Sequence, residues 1–581
     1  MRRRGAPGSR PAARRKGSRP AIVVRFAHER AWVAALLALH LALAIFGIVR
    51  NSVTFDENFH LPAGVMIAAR GELRISAVNP PLVKALCGAA ALAAGARLPS
   101  EEALRNGEQG VVGESFMRRN ADRYQRVFEA ARLVVALFSF GLGLLVWRVA
   151  RRLYGARSGV LALAFYTFAP EALAHAGFVT MDLTTGLGWL ASLYAFWMFA
   201  RTGRWSWWWA AAAAVGFAFL VRFSALLLAP TLALVALIET ARRRARRPAR
   251  AWIGLVLLVP VVLVALQIGY LGRGSFMPLG RIPLESRAFA SLAHAAPGLR
   301  LPVPALWIAG IDRQAVESQS GVTPAYLLGR ILPRAVWYYF PLAFLFKWPL
   351  GFLGALAARA GLSLARRRRR GSFLAVGVAV YLGVGMFLGN LDIGIRYMFP
   401  ILPLLCVWLG GLAWPRVLRP LGRGGRAWLR AGVALALLQA VETGFAAPWY
   451  LSFFNWPSGG PGGGYRLLND SNVDWGQGLI ALRDELARRG IGRVYLTYHG
   501  TVDPAIYGIE SVPYLGGVPG SESDWLAVSS YYFVGLTQRM MTREGRTRSL
   551  QFDFGPLRYA SPVARPADCI YLFGRGTLRA R

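Results

Sequence analysis

Cysteine and lysine are the residues this chain of 581 has least of. The three cysteines, Cys87, Cys406 and Cys569, are scattered and odd in number, and the first two fall in apolar runs. That spacing implies neither a disulfide framework nor a cysteine-based metal site. Lysine occurs only as Lys16, Lys84 and Lys347. Acids are scarce as well: 29 Asp and Glu stand against 68 Lys and Arg, a formal net charge of +39. A phosphate-binding P-loop, a Gly-x-Ser-x-Gly elbow and a His-Glu-x-x-His pair are missing, so ATP-driven transport and serine hydrolysis lose their usual signals. There is no internal repeat of about 20 to 50 residues. The six histidines are dispersed, and His60, beside an acid pair, is of a kind more often structural than a ligand.

What the chain has in quantity is apolar length. It is 55% hydrophobic, with 19 Trp and 32 Phe, beyond what a soluble domain carries. Runs long enough to cross a bilayer, about 20 residues each, occur near 31–49, 127–148, 159–178, 182–200, 206–221, 223–239, 251–271, 333–357, 372–389, 397–414 and 428–444. The expected fold is a polytopic α-helical membrane protein of about eleven spans. Residues 1–30 hold ten Arg or Lys and form a low-complexity tail. The run behind it shows no clear cleavage site and reads as an uncleaved signal anchor. With the tail, the connections 148–157, 201–204, 242–250, 366–370 and 416–430 hold 32 of the 68 basic residues, whereas loop 51–125 has eight acids and eight bases. The positive-inside rule therefore puts the tail in the cytoplasm, and it puts loop 51–125, the long loop 272–332 and everything after 444 outside. In a bacterium that is the periplasmic side of the inner membrane. The positive charge is topological, and no nucleic-acid partner is implied.

After the transmembrane part, 31–444, the texture changes. Gly459 to Gly464 reads as a linker within an exterior segment 445–581. A strand near 465–469, a helix near 477–489 and strands at 493–498, 525–529 and 570–573 predict a small soluble α/β domain.

The chemistry concentrates in Asn51 to Lys84. An acid pair, Asp56-Glu57, stands at a membrane edge, where a carboxylate drawn toward hydrocarbon costs about 2.5 to 3.5 kcal/mol on insertion scales. Thr54-Phe55-Asp56-Glu57 fits a capping box, with Glu57 reaching back to Thr54. It equally fits catalysis, with Asp56 a general base poised by partial burial. Both can hold together. Glu57–Arg70 and 82–96 predict short interfacial helices, separated by Gly71 and by Asn79-Pro80-Pro81. Asp182 opens the fourth run on the same side; a helix N-terminus explains one acid there, but two converging acids suggest a site. Lys347 lies inside the eighth run, ten residues past Trp337 of the aromatic belt Trp337-Tyr338-Tyr339. At that depth a cation marks a function, or pairing with an acid such as Glu442. Arg222 and Arg396 each suit a lipid-headgroup anchor, and together with Lys84 and Lys347 they are candidates for a phosphate clamp.

At these residues the chain resembles the membrane-embedded GT-C glycosyltransferases that use polyprenyl-phosphate sugars, near the protein O-mannosyltransferase and aminoarabinose-transferase branch (glycosyltransferase family 39-like). Phe55-Asp56-Glu57 resembles that family's acidic motif in the first exterior loop, and Asn79-Pro80-Pro81-Leu82-Val83-Lys84 its Pro-Pro-Leu-x-Lys segment. His175 to Asp182 resembles the second-acid motif. Phe346-Lys347-Trp348-Pro349 and Arg396 to Pro403 resemble later spans, and Tyr450 to Asn455 with Ser471 to Gln477 resemble the C-terminal region of bacterial members. Many relatives carry histidine where this chain has Asn79, so no metal or base role transfers to that position. The resemblance implies transfer of a sugar from an undecaprenyl-type phosphate carrier to an acceptor protein, lipid or glycan. It casts Asp56, Glu57 and Asp182 as catalytic and Lys84, Arg222, Lys347 and Arg396 as binding the lipid phosphate. No cofactor is required by the sequence; exterior carboxylates leave a divalent metal open. The competing classes are a lipid or lipid-linked-sugar transporter and a non-catalytic assembly protein.

Overall fold

The computed structural model of the protein describes residues 28–574 apart from 245, 320–323, 367–370, 391, 416–422, 516–522, 542–546, 551, 553, 555–556 and 558–559. Residues 1–27 of the basic tail, most of the run 366–370 and part of 416–430 therefore lie outside the described residues.

The chain is a multi-pass helical membrane protein. Among the described residues, five helices are long and apolar enough to cross a membrane: Glu29–Arg50, Ala121–Tyr154, Asp182–Thr202, Phe223–Ala241 and Pro248–Gly269. A sixth is reached if Tyr339–Lys347 and Leu350–Leu364, bent by 116° at their junction, count as one. The expected span 428–444 lies within one 23-residue helix, Arg423–Phe445, and the remaining ones are helical but short or broken. The run 159–178 divides into Ala156–Thr167 and Pro170–Ala176 because Pro170, at the first helical position, has no N–H to continue the preceding helix. The run 206–221 yields only the 15 residues Trp205–Phe219. The helix Asp182–Thr202 is the hub, with 89% of its apolar window buried; a helix apolar on every face is stable only when surrounded.

Glu29 at the start of the first helix pairs with Arg151 near the end of Tyr124–Tyr154 at 2.8 Å, so these two helices run antiparallel. The described Arg-rich connections 148–157, 201–204 and 242–250 gather at this end of the bundle, where Arg201 pairs with Glu239 at 3.7 Å and Arg250 reaches the Gly203 carbonyl. The loop 51–56 emerges at the other, about 33 Å away along a 22-residue helix.

The two short helices of the first loop form at Glu57–Arg70 and Leu82–Ala93. Gly71 ends the first in the left-handed region, φ 64°, which glycine adopts without penalty. The pair meets backbone to backbone. A Cβ on Gly64 would collide with the Lys84 carbonyl, and one on Gly88 with the Gly64 backbone. Only glycine permits this approach, and it fixes Lys84 relative to the acid pair.

The C-terminal region contains a four-stranded mixed sheet. Arg493–Thr497 is central and pairs in parallel with Glu510–Pro513 and Leu526–Ser529, while Ile570–Phe573 runs antiparallel to Leu526–Ser529. The helix Leu479–Arg488 precedes it. The strand expected at 465–469 is not formed. Gly460–Gly463 and Gly464–Arg466 are short helical turns, with Gly464 seated on the Phe454 ring, and Leu468 bridges to Leu327 rather than joining the sheet. One hydrophobic core runs from Val33 through the membrane helices to Leu496 and Leu572.

Candidate active site

The loop that follows the first helix is held from the C-terminal region. Ser52 N and Phe55 N donate to the carbonyls of Gln477 (3.0 Å) and Trp475 (2.9 Å), and Val53 N donates to the Tyr507 hydroxyl (2.9 Å). Glu57 is the second anchor. It is fully buried, and its carboxylate accepts five hydrogen bonds: from Thr54 N (2.9 Å) and Oγ1 (3.0 Å), Arg132 Nε (2.8 Å) and Nη2 (2.7 Å), and Val179 N (2.8 Å). Arg132, equally buried, also donates to the carbonyls of Ile48, Asn51 and Ser52. Half of the expected capping box is therefore present. Glu57 reaches back to Thr54 N, but the helix starts at Glu57, and the Thr54 hydroxyl donates to the carboxylate instead of capping the helix.

Asp56 points elsewhere. Its side chain is 26% exposed and makes no capping hydrogen bond; it accepts one from Arg396 Nη1 at 2.8 Å. The same nitrogen lies 3.9 Å from Asp182 Oδ2. Asp182, buried at the first position of its helix, also pairs with Arg222. The result is an alternating cluster, Asp56–Arg396–Asp182–Arg222. The Arg396 guanidinium rests 4.0 Å above the Trp475 ring, and its Nε has no hydrogen-bond partner among the described residues. The turn carrying it is fixed by Asn472, which accepts from Ile395 N (3.0 Å), and by Ser471, whose hydroxyl donates to Ile393 O (2.9 Å).

Two histidines line the neighbourhood. Burial lowers His60 to about 4, so it is neutral, within electrostatic reach of Asp56, Lys84, Arg396 and Asp182. His499, from the C-terminal region, is stacked between Tyr531 (3.8 Å, 4°) and Phe55 (5.6 Å, 10°), and burial lowers it to about 3. Burial also pushes the Asp474 carboxyl up to about 7, beside Trp475.

The structure separates the two lysines. Lys84 is buried, donates to the carbonyls of Ser76 (2.8 Å) and Val78 (3.1 Å), and has no carboxylate partner among the described residues. Its segment touches that of Arg222 through Leu82 N to Leu220 O, 3.3 Å. Lys347 does not join the clamp. It is enclosed, donating to Leu451 O (2.7 Å) and Asn472 O (2.8 Å) and lying 3.6 Å from Glu171. Glu442, the acid considered as its partner, instead accepts from Leu350 N at 2.6 Å. Glu57 is likewise enclosed, its five donors leaving no approach for a substrate proton.

Sequence reasoning does not single out Arg132, His499 or Glu171, and it marks Trp475 only as part of the Ser471 to Gln477 motif. Arg132 had a signal, a lone arginine inside an apolar run; the others had none strong enough. Among the described residues no group of three or more His, Cys, Asp or Glu is placed to hold a metal ion. Each site acid is held by a guanidinium: Glu57 by Arg132, Asp56 by Arg396, and Asp182 by Arg222 and Arg396.

Residues 125–267 match the family described as dolichyl-phosphate-mannose-protein mannosyltransferase, in line with the resemblance carried by the motifs. No curated protein matches the chain in sequence. Among solved structures, ArnT from Cupriavidus metallidurans in the apo state is 17% identical, over 82% of this chain and 74% of that one, with a TM-score of 0.43. The same protein bound to undecaprenyl phosphate is 16% identical, over 82% and 74%, with a TM-score of 0.43. The apo oligosaccharyltransferase of Archaeoglobus fulgidus is 11% identical, over 91% and 75%, with a TM-score of 0.46.

Proposed function

We propose that the protein is an inverting GT-C-type glycosyltransferase that moves a sugar from an undecaprenyl-type phosphate carrier to an acceptor hydroxyl, at the membrane face opposite the Arg-rich connections. In a bacterium this is the periplasmic face of the inner membrane. The observation that carries the reading is the contrast among three acids. Glu57 is closed off by five donors and Asp182 is buried between two arginines, while Asp56 is partly open with one hydrogen bond to its carboxylate. The family match over 125–267 supports the donor class.

In this reading the acceptor oxygen attacks the anomeric carbon opposite the phosphate. The carbon–oxygen bond to phosphate breaks, its electron pair goes to the phosphate oxygen, and the acceptor proton passes to Asp56. A lipid phosphate is stable as an anion and needs no general acid. Lys84, Arg222 and Arg396 are the cations available to it, each able to contribute a few kcal/mol in a water-poor site. Among the described residues the Nε of Arg396 has no partner, and Lys84 has a third N–H beyond its two carbonyl bonds. Glu57 and Lys347 hold the framework.

The test supplies membranes carrying the protein with an undecaprenyl-phosphate sugar labelled at the anomeric carbon. Inverted product with undecaprenyl phosphate released is expected; retention of configuration, or release of the pyrophosphate, contradicts the reading.

The transporter reading draws on one observation, the 116° break at Lys347 to Leu350, since broken helices mark many transport sites. Lys347 at that break is tied to the Leu451 and Asn472 carbonyls, not directed into a path. Movement of labelled carrier lipid across proteoliposomes without sugar transfer would favour transport.

A further inference from the structure

At the Arg-rich end of the bundle, away from Asp56, a cavity of about 550 Å³ opens between the ends of Leu228–Ala241, Leu350–Arg366, Ser372–Phe387 and Ile401–Leu409. Its volume lies within the roughly 300–1,000 Å³ of small-ligand sites. Most of its wall is apolar, and Leu364 and Ala375 on it are exposed to what would be acyl chains. Two cations stand in it, Arg242 and Arg359.

Arg359 is 2% exposed. Its Nε donates to Trp408 O (3.2 Å) and its Nη1 to Ser363 Oγ (3.1 Å), and the guanidinium lies over the Trp408 and Tyr154 rings at 5.5 and 5.8 Å. These contacts fix the guanidinium plane, but none is an anion. The other buried arginines, Arg132 and Arg396, each hold a carboxylate. Among the described residues neither Arg359 nor Arg242 does. The nearby acid, Glu239, is already engaged by Arg201 at 3.7 Å and by the Ser372 hydroxyl. Arg359 also precedes Arg366, the first of the arginine run, by seven residues, which places it about 10 Å along the helix from that run. A fixed guanidinium at that depth in hydrocarbon calls for a counter-anion.

We propose that this cavity binds one anionic glycerophospholipid from the Arg-rich leaflet, its phosphate between Arg359 and Arg242 and its first acyl carbons along the apolar wall. Phosphate suits the planar guanidinium fork, and a lipid supplies both the charge and the chain that the two-part cavity accommodates. The site is independent of the glycosyltransferase reading.

The full chain, purified in detergent and stripped of lipid, would be titrated with phosphatidylglycerol, phosphatidylcholine or undecaprenyl phosphate and followed by native mass spectrometry. One phosphatidylglycerol per chain is expected, with phosphatidylcholine poorly retained. Arg359→Gln removes the charge, and Ala375→Phe fills the cavity from an exposed position without touching either arginine. Each is expected to weaken phosphatidylglycerol binding about tenfold or more, as loss of a charge-assisted contact does. Should Arg359→Gln not fold, Ala375→Phe decides alone. Unchanged binding in Ala375→Phe, equal retention of phosphatidylcholine, or preferential binding of undecaprenyl phosphate overturns the proposal.

Discussion

The Glu57 carboxylate accepts five hydrogen bonds with no exposed surface, so an amide in its place would leave Arg132 charged and enclosed opposite a neutral group. Breaking a buried pair on one side costs about 3–5 kcal/mol. Glu57→Gln is therefore expected to lower yield and melting temperature in detergent; normal yield and melting with turnover lost would instead make Glu57 part of the chemistry. Asp56 differs from its neighbour because the helix begins at Glu57, turning one carboxylate inward and leaving the other partly exposed beside Arg396. Sequence alone casts Asp56 as the base and Glu57 as the acid that reaches back to Thr54, but it does not show how fully Glu57 is enclosed, since Arg132 comes from a helix 75 positions away. The surroundings of Lys347 are hidden from sequence for the same reason. Its depth was legible, but its partners, Leu451, Asn472 and Glu171, come from three separate segments.

Between elements, the decisive contact is the backbone approach of Glu57–Arg70 to Leu82–Ala93 at Gly64 and Gly88. No side-chain rearrangement relieves a methyl there, because the atoms it meets are main chain. Gly88→Ala is expected to cost about 1–3 kcal/mol through overpacking and to shift Lys84, raising KM for the lipid donor more than it lowers kcat. A variant with unchanged melting temperature and donor KM contradicts this. The two helices themselves were legible, since Gly71 and Pro80-Pro81 are strong punctuation. The glycine contact was not, because nothing local distinguishes a packing glycine from a flexible one. The helix breaks at Pro170 and Pro349 lie inside continuous apolar runs, and hydropathy does not register them because it reads composition and not helix continuity.

On the scale of the whole molecule, the C-terminal region is part of the site. Residues 475–477 hold the loop bearing Asp56, Trp475 underlies Arg396, and His499 stacks on Phe55. Its α/β character was legible from alternating strands and Gly490. Its attachment was not, because Gly459 to Gly464 reads as a linker yet packs against Phe454 and Arg565. Trp475→Ala is expected to reduce kcat while the protein still folds, since an exposed-to-desolvated cation–π contact contributes about 0.5–2 kcal/mol; full turnover in that variant would separate the C-terminal region from the chemistry. The claim on which the rest depends is that Asp56 takes the acceptor proton. Asp56→Asn keeps the shape and a hydrogen-bonding oxygen for Arg396 but removes the base, so the direct measurement is sugar transfer from labelled lipid donor in purified membranes with the variant at wild-type abundance. A loss of about 100-fold or more in kcat, as removal of a general base produces, is the expected result, and turnover within a few-fold of wild type would contradict the assignment.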